Sequence, residues 1–274
     1  MREPVIPTFL RSDLSLGELL EHLAEEQVTM VEVLGDLPNR SIDLSDSAAV
    51  LKLKEIAERA GIKIHSLHNG FSNPSAANWD ISSPDETVRR AAIARSAAVL
   101  RAGSYLGARH VVVHPGHQER SLERLECCKL SLGELAKTAR ELDVRIAVEN
   151  LPPDYLGGRL SETKYLLDGL DPQTIGFCCD TGHAALGAES AAEYIRAFPD
   201  RLIGVHWHLN DGENDCHWCP IPVGDESKAF IQALNEAGYD LPVVIEAAPP
   251  EGMTIHEMVE CARAELNSSF SRNS

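Results

Sequence analysis

Short β-branched runs alternate with longer stretches of helical periodicity from one end of the chain to the other. The runs Val5–Leu10, Val28–Leu34, Ile62–Leu67, His110–Val113, Val144–Val148, Ile175–Cys179, Leu202–Trp207 and Leu241–Ile245 predict eight strands. Between them apolar residues recur every three or four positions. Leu16, Leu19, Leu20 and Leu23 form one stripe, and Val50, Leu53, Ala57 and Ala60 another, with Gly61 placed to cap it. A hydroxyl followed three residues later by Glu predicts capping boxes at Ser15 with Glu18, at Ser83 with Glu86 around Pro84, and at Thr254 with Glu257.

Strand and helix alternating eight times, with no linker or composition break, imply parallel strands joined by helical crossovers. The expectation is an α/β chain folded as a single (β/α)8 TIM barrel over residues 1–274, a length close to the ~250 residues usual for that fold. An open doubly wound sheet is the rival. It lacks its main signature, because the first strand-to-helix turn carries no Gly-rich phosphate loop.

Charge narrows the partners. Lys and Arg number 25 against 42 Asp and Glu, a net charge of −17, and binding a phosphate backbone needs Lys and Arg to displace counterions. Nucleic acid and anionic membrane are therefore poor partners. The start Met1-Arg2-Glu3-Pro4 lacks the basic-then-apolar run of a signal peptide, and no apolar stretch approaches the ~20 residues that span a bilayer. The expectation is a soluble, cytoplasmic protein, compatible with a monomer or a homodimer. Seven cysteines (Cys127, Cys128, Cys178, Cys179, Cys216, Cys219 and Cys261) are an odd number, two of the pairs are adjacent, and reduced thiols are expected.

In a barrel of this kind chemistry sits where the strands end and the βα loops begin. The third strand ends in Ile64-His65-Ser66-Leu67-His68, the fourth in Val113-His114-Pro115-Gly116, and the fifth in Val148-Glu149-Asn150. The sixth ends in Cys179-Asp180-Thr181-Gly182-His183. The seventh gives His206-Trp207-His208-Leu209-Asn210-Asp211 and then Asp215-Cys216-His217, and the eighth ends in Ile245-Glu246. Six consecutive strands thus deliver His or a carboxylate to one rim.

Four carboxylates converging on one cavity would repel each other unless a cation lay between them, so the pattern points to a divalent metal. Mixed imidazole and carboxylate donors suit Zn²⁺, Mn²⁺, Fe²⁺ or Co²⁺, whereas Mg²⁺ prefers more oxygen. His206 and His208 share a face by period-two alternation, and Trp207 points to the helix layer. His208 lies nearer the strand end and is the preferred ligand, with His206 in reserve. His22, His65, His110, His117 and His256 are expected to be structural or solvated. The lone C-x-x-C of Cys216-His217-Trp218-Cys219 has no second pair to complete a zinc ribbon, and its thiols read as incidental loop residues.

These residues resemble the xylose-isomerase-like barrels, which comprise sugar isomerases and epimerases, inosose dehydratases and apurinic-site endonucleases. The resemblance runs over nearly the whole chain. It rests on His114-Pro115-Gly116, Glu149-Asn150, Asp180-Thr181-Gly182-His183, His208-Leu209-Asn210-Asp211 with Asp215-x-His217, and Ile245-Glu246. In isomerase-type members it implies one metal held by Glu149, Asp180, His208 and Glu246. In the endonuclease branch it implies three zinc ions, with His68, His114, His183, Asp215 and His217 as further ligands, and all nine matching positions here carry a ligand-type residue.

Charge placement separates the branches. No Lys or Arg occurs between His68 and Asp85, between His183 and Arg196, between Leu202 and Lys228, or between Glu246 and Arg263. A DNA-repair enzyme needs cations around its pocket. Ketose epimerases that place an Arg after the seventh strand differ from this chain in the same respect, and Arg11, Arg40, Arg120 and Arg159 are the cations left in other loops.

The expected function is therefore a metal-dependent isomerase or epimerase of a neutral sugar or related polyol, with Glu149 and Glu246 as bases and one ion. Substrate contacts are expected from His183 and from ring stacking by Trp79, Trp218 and Phe71. The alternatives are inosose-type dehydration, phosphodiester hydrolysis with up to three zinc ions, and a metal-bound barrel that only binds.

Overall fold

The computed structural model describes residues 1–11, 13–35, 42–70, 79–116 and 120–268. Arg40, Phe71 and His117 lie outside the described residues.

The eight strands are β1 (Pro4–Pro7), β2 (Met30–Leu34), β3 (Lys63–His68), β4 (His110–Val113), β5 (Arg145–Glu149), β6 (Ile175–Asp180), β7 (Leu202–Trp207) and β8 (Val243–Ile245). Every neighbouring pair is parallel, and β8 returns to β1 so that the sheet closes. The helices α1 (Leu16–Glu25), α2 (Ser47–Ala60), α3 (Glu86–Leu106), α4 (Leu122–Glu141), α5 (Leu160–Leu167), α6 (Thr181–Ala185), α7 (Ala191–Ala197) and α8 (Asp225–Glu236) fill the crossovers, and α9 (Ile255–Ser268) follows β8. This is the predicted (β/α)8 barrel. Among the described residues no helix is long and apolar enough to cross a membrane, and all seven cysteines are free thiols.

Two layers of packing arise from the period of two. Outward residues such as Val31, Val33, Leu67, Val111, Val113, Phe177 and Val205 join the helix stripes in the main core, whereas Val112, Ala147, Cys178 and Ile203 form a small cluster of their own. Trp207 points outward, as expected, and lies against Phe230 of α8. Several strands run one residue past their apolar stretch. His68, Glu149 and Asp180 are the last paired residues of β3, β5 and β6, because backbone pairing continues where the side chains turn polar. At β8 the strand starts late: Pro242 has no N–H to donate, and pairing begins at Val243.

The helix caps agree with the sequence with one exception. Ser15 with Glu18 and Thr254 with Glu257 form reciprocal boxes, and Gly61 ends α2 in the left-handed conformation at φ 70°. The predicted box of Ser83 with Glu86 does not form. Asp85, a stronger charged acceptor beyond Pro84, caps α3 by accepting from Thr87 N and Val88 N, and the Ser83 carbonyl takes the Arg89 guanidinium instead.

At the amino end of the barrel Arg2 is fully buried and donates to Tyr239 O, Leu266 O and the Asn235 side chain, tying β1 to α8 and α9. His65 and His110 meet edge-to-face at 5.3 Å in the same half of the barrel. Burial pushes His65 down to about 4 and His110 well below its ordinary value. The unfolded chain takes up these protons near 6.5 and the folded chain resists them, so stability falls as the pH drops from about 6.5 to about 4. His65 alone accounts for roughly 3 kcal/mol of this loss. His65→Gln is expected to flatten the fall by that amount in urea unfolding across the same interval, and an unaltered slope would show that the ring is not the group responsible.

Candidate metal centre

Glu149, Asp180 and Glu246 enter the carboxyl end of the barrel from β5, β6 and β8 and are 1%, 0% and 4% exposed. None of them is paired with Lys or Arg; every ion pair they make among the described residues is with an imidazole. Glu149 Oε2 lies 2.8 Å from His114 Nε2 and 3.2 Å from His68 Nε2, while its Oε1 lies 3.0 Å from His206 Nδ1. Asp180 faces His208 Nε2 at 3.0 and 3.1 Å. Asp215 reaches both His183 Nε2 and His217 Nε2 at 3.3 Å. All nine candidate positions therefore belong to one continuous network.

The motifs owe their composition to this geometry. Asn150 donates to Asp180 O and accepts from Asp180 N, both at 2.9 Å, clamping the end of β5 to the end of β6, and its own carbonyl meets His183 Nδ1 at 2.9 Å. Asp180 caps α6 by accepting from His183 N at 2.7 Å. The Thr181 hydroxyl donates to His208 O and accepts from His208 N. Gly182 is required for space, because a Cβ there would lie 2.0 Å from His208 Cε1. Asn210 holds the loop after β7: its oxygen accepts from Cys216 N and His217 N, and its amide donates to Gly182 O and Asp215. His217 is thereby kept at φ 48°, unusual for a residue with a side chain, with its ring stacked on His208 at 4.2 Å and Nδ1 against Glu246 O.

Electrostatics show what the site lacks. Burial alone would raise the carboxyls of Glu149 and Asp180, yet the surrounding imidazoles hold both well below the usual range, His206 and His114 for the first, His183 and His208 for the second. Burial should likewise lower His183, but Asp180 and Asp215 lift it to about 10; Asp215 and Glu246 lift His217 to about 9. The pocket attracts positive charge strongly enough to favour protons on His183 and His217, although burial lowers His114 beside them. His208 Nδ1 is buried without a hydrogen-bond partner. Four sets have ligand atoms within 4.8 Å of one another: His68, His114 and Glu149; Asp180, His183 and His208; His208, His217 and Glu246; and Glu149, Asp180, His206 and Glu246. This donor set fits a divalent cation.

Above these groups opens a cavity of about 160 Å³ lined by His68, His114, Glu149, His183, Asp215, His217 and Glu246, with Leu151, Pro152 and Tyr155 as its apolar wall. No Lys or Arg is among these lining residues. Arg11 is paired with Asp13 and Arg120 with Glu162. Larger hollows of about 430 and 420 Å³ lie between α2 and α3 and at the amino end of the barrel, and neither contains one of the four ligand sets. Trp79 packs against the core, and Trp218, 53% exposed, pairs its backbone with Leu209; neither lines the cavity.

The Xylose isomerase-like TIM barrel family model matches residues 20–263. The chain belongs to that family. An uncharacterized protein of Methanocaldococcus jannaschii is 29% identical to this family member over 217 residues, 77% of this chain and 78% of its own. The crystal structure of a D-tagatose 3-epimerase-like protein superposes with a TM-score of 0.80 at 22% identity, covering 100% of both chains. That of the 3-keto-D-glucoside 4-epimerase YcjR from E. coli gives 0.73 at 16% identity, over 99% of this chain and 98% of that one. At these identities the likeness to solved structures establishes a shared fold.

Sequence reasoning for this xylose isomerase-like barrel missed Glu32. It is a fully buried carboxylate on β2, 3.2 Å from His206 Nε2. The signal was present: one charge inside the run Met30-Val31-Glu32-Val33-Leu34. His206, held in reserve, joins the four-residue set with Glu149, Asp180 and Glu246, while His208 joins two of the others.

Proposed function

We propose that this protein is a divalent-metal-dependent isomerase or epimerase acting on a neutral sugar or related polyol, by removal of a proton from the carbon beside a carbonyl. One observation carries the reading. Glu149 at the end of β5 and Glu246 directly after β8 line the same cavity, and no Lys or Arg lines it with them. Two carboxylates facing one cavity can take a proton from one face of a carbon and return it on the other, and a phosphorylated substrate would call for Lys or Arg. The names of the similar structures, a D-tagatose 3-epimerase-like protein and a 3-keto-D-glucoside 4-epimerase, agree with a ketose-type substrate.

The metal would be held by Glu149, Asp180, His208 and Glu246, and one ion suffices for this chemistry. When bound, a divalent ion supplies Lewis-acid polarisation of the substrate carbonyl and so acidifies the neighbouring C–H. Glu149 and Glu246 then accept and return the proton on their carboxylate oxygens. His183, held at Nδ1 by Asn150 O and at Nε2 by Asp215, would reach a substrate hydroxyl by exchanging its Asp215 contact. Leu151, Pro152 and Tyr155 present an apolar wall to the ring face of a sugar. Inosose-type dehydration shares the same first step.

A second reading has its own support. The ligand sets at His68 with His114 and at His217 with Glu246 could hold further ions, as in phosphodiester hydrolysis with up to three zinc ions. A deuterium-exchange screen of free ketoses and inososes with Mn²⁺, Co²⁺ or Mg²⁺ decides the matter, run beside cleavage of abasic-site DNA. Metal-dependent exchange into one of the sugars is expected. DNA cleavage without exchange, together with three tightly bound zinc ions by elemental analysis, would reverse the ranking.

A further inference from the structure

Glu32 lies beneath the site, outside the cavity wall, in surroundings where an isolated carboxylate is very costly. Its Oε2 accepts a hydrogen bond from Ser66 Oγ at 2.6 Å, and no Lys or Arg pairs with it among the described residues. Oε1 stands 3.2 Å from His206 Nε2. The approach is an ion-pair contact and not a hydrogen bond, since neither atom has a hydrogen-bond partner among the described residues. The opposite edge of the same buried ring places Nδ1 at 3.0 Å from Glu149 Oε1, 3.2 Å from Glu246 Oε2 and 3.7 Å from Asp180 Oδ2. His206 is thus a bridge, with one carboxylate below it and three above.

We infer that Glu32 and His206 form a positioning pair that sets the geometry of the carboxylates above: Glu32, oriented by Ser66, fixes the ring, and the ring fixes Glu149 and Glu246. The inference rests on the function proposed above, in which those two residues are ligands and bases. A buried ion pair kept only for stability is a poor alternative, because apolar residues of the same volume usually do as well or better. Position also argues for a role. The pair joins β2 and β7 across the barrel interior, directly under the two residues that must face each other over the substrate. Carboxylates that orient imidazoles behind a metal site govern how well the site binds its ion. Glu32 touches neither the cavity nor the proposed substrate and acts only through the ring.

A double-mutant cycle on metal affinity tests this. Apoprotein is titrated with Mn²⁺ or Co²⁺ in competition with a chromophoric chelator, using wild type, Glu32→Gln, His206→Asn and the double variant. Glu32→Gln is expected to weaken binding by about 10- to 100-fold in the wild-type background and by less than about twofold once His206 is gone. Ser66→Ala, which removes a single hydroxyl, is expected to lose about threefold and decides the matter if Glu32→Gln does not fold. Unchanged affinity in Glu32→Gln, or an equal loss in both backgrounds, overturns the inference while leaving the proposed function standing. Wild-type protein that takes up neither ion overturns that function and this inference with it.

Discussion

Glu149→Gln is expected to lower proton exchange from a ketose into solvent by at least ~10³-fold, and Glu246→Gln to do the same, measured by deuterium incorporation with metal in excess. The substitution is isosteric, but the amide is no base. At Glu149 it also changes the second oxygen from an acceptor to an NH₂ donor, in a place where Oε1 and Oε2 meet His206, His68 and His114. Glu149→Gln should therefore weaken metal binding as well as proton transfer. Glu246 has fewer partners of this kind, His206 being its one ion-pair partner among the described residues, and its backbone carbonyl keeps His217 in either case. The Glu246 variant thus gives the cleaner measure of a base. Wild-type exchange in both variants would remove both carboxylates from that role.

Asp180→Asn should separate charge from scaffold. The side-chain oxygen that accepts from His183 N survives in Asn, and so does the backbone clamp to Asn150. The negative charge facing His208 Nε2 is lost. Affinity for Mn²⁺ or Co²⁺ should fall at least ~100-fold, while thermal unfolding of the metal-free protein stays within a few degrees of wild type. Binding within about threefold of wild type would exclude Asp180 as a ligand.

Much of the candidate site was legible because strand ends are legible. An apolar run of four to six residues followed by His, Glu or Asp marks a place where backbone pairing stops and a side chain faces the barrel mouth, and six such endings in succession give a site. Their partners were harder to read. Asn150, Thr181 and Asn210 stand in the motifs, yet their work is to bond backbone atoms about 30 residues away, and spacing along the chain carries no record of that. Side-chain direction in the loops was not legible. Trp79 and Trp218 fall in rim loops by sequence; the structure packs the first on the core and leaves the second exposed, because a loop position does not fix the direction of its side chain.

The negative charge of the chain has a local counterpart. Carboxylates at the carboxyl end of the barrel are balanced by imidazoles, whereas Arg2 at the other end is used to bind backbone carbonyls. The excess of acid is thus put to use at the mouth, where it raises the affinity of imidazoles for protons and suits the same place to a metal.

By itself the sequence determined the eightfold alternation, the barrel and the residues at its mouth, since each depends on periodicity and on the few residues that come directly after a strand. Only the tertiary structure decided that Glu32 lies under the site, that His206 spans it and that Asn150 clamps two strands. Those facts depend on which strands a closed sheet brings face to face, and contacts across the barrel have no signature in the local chain.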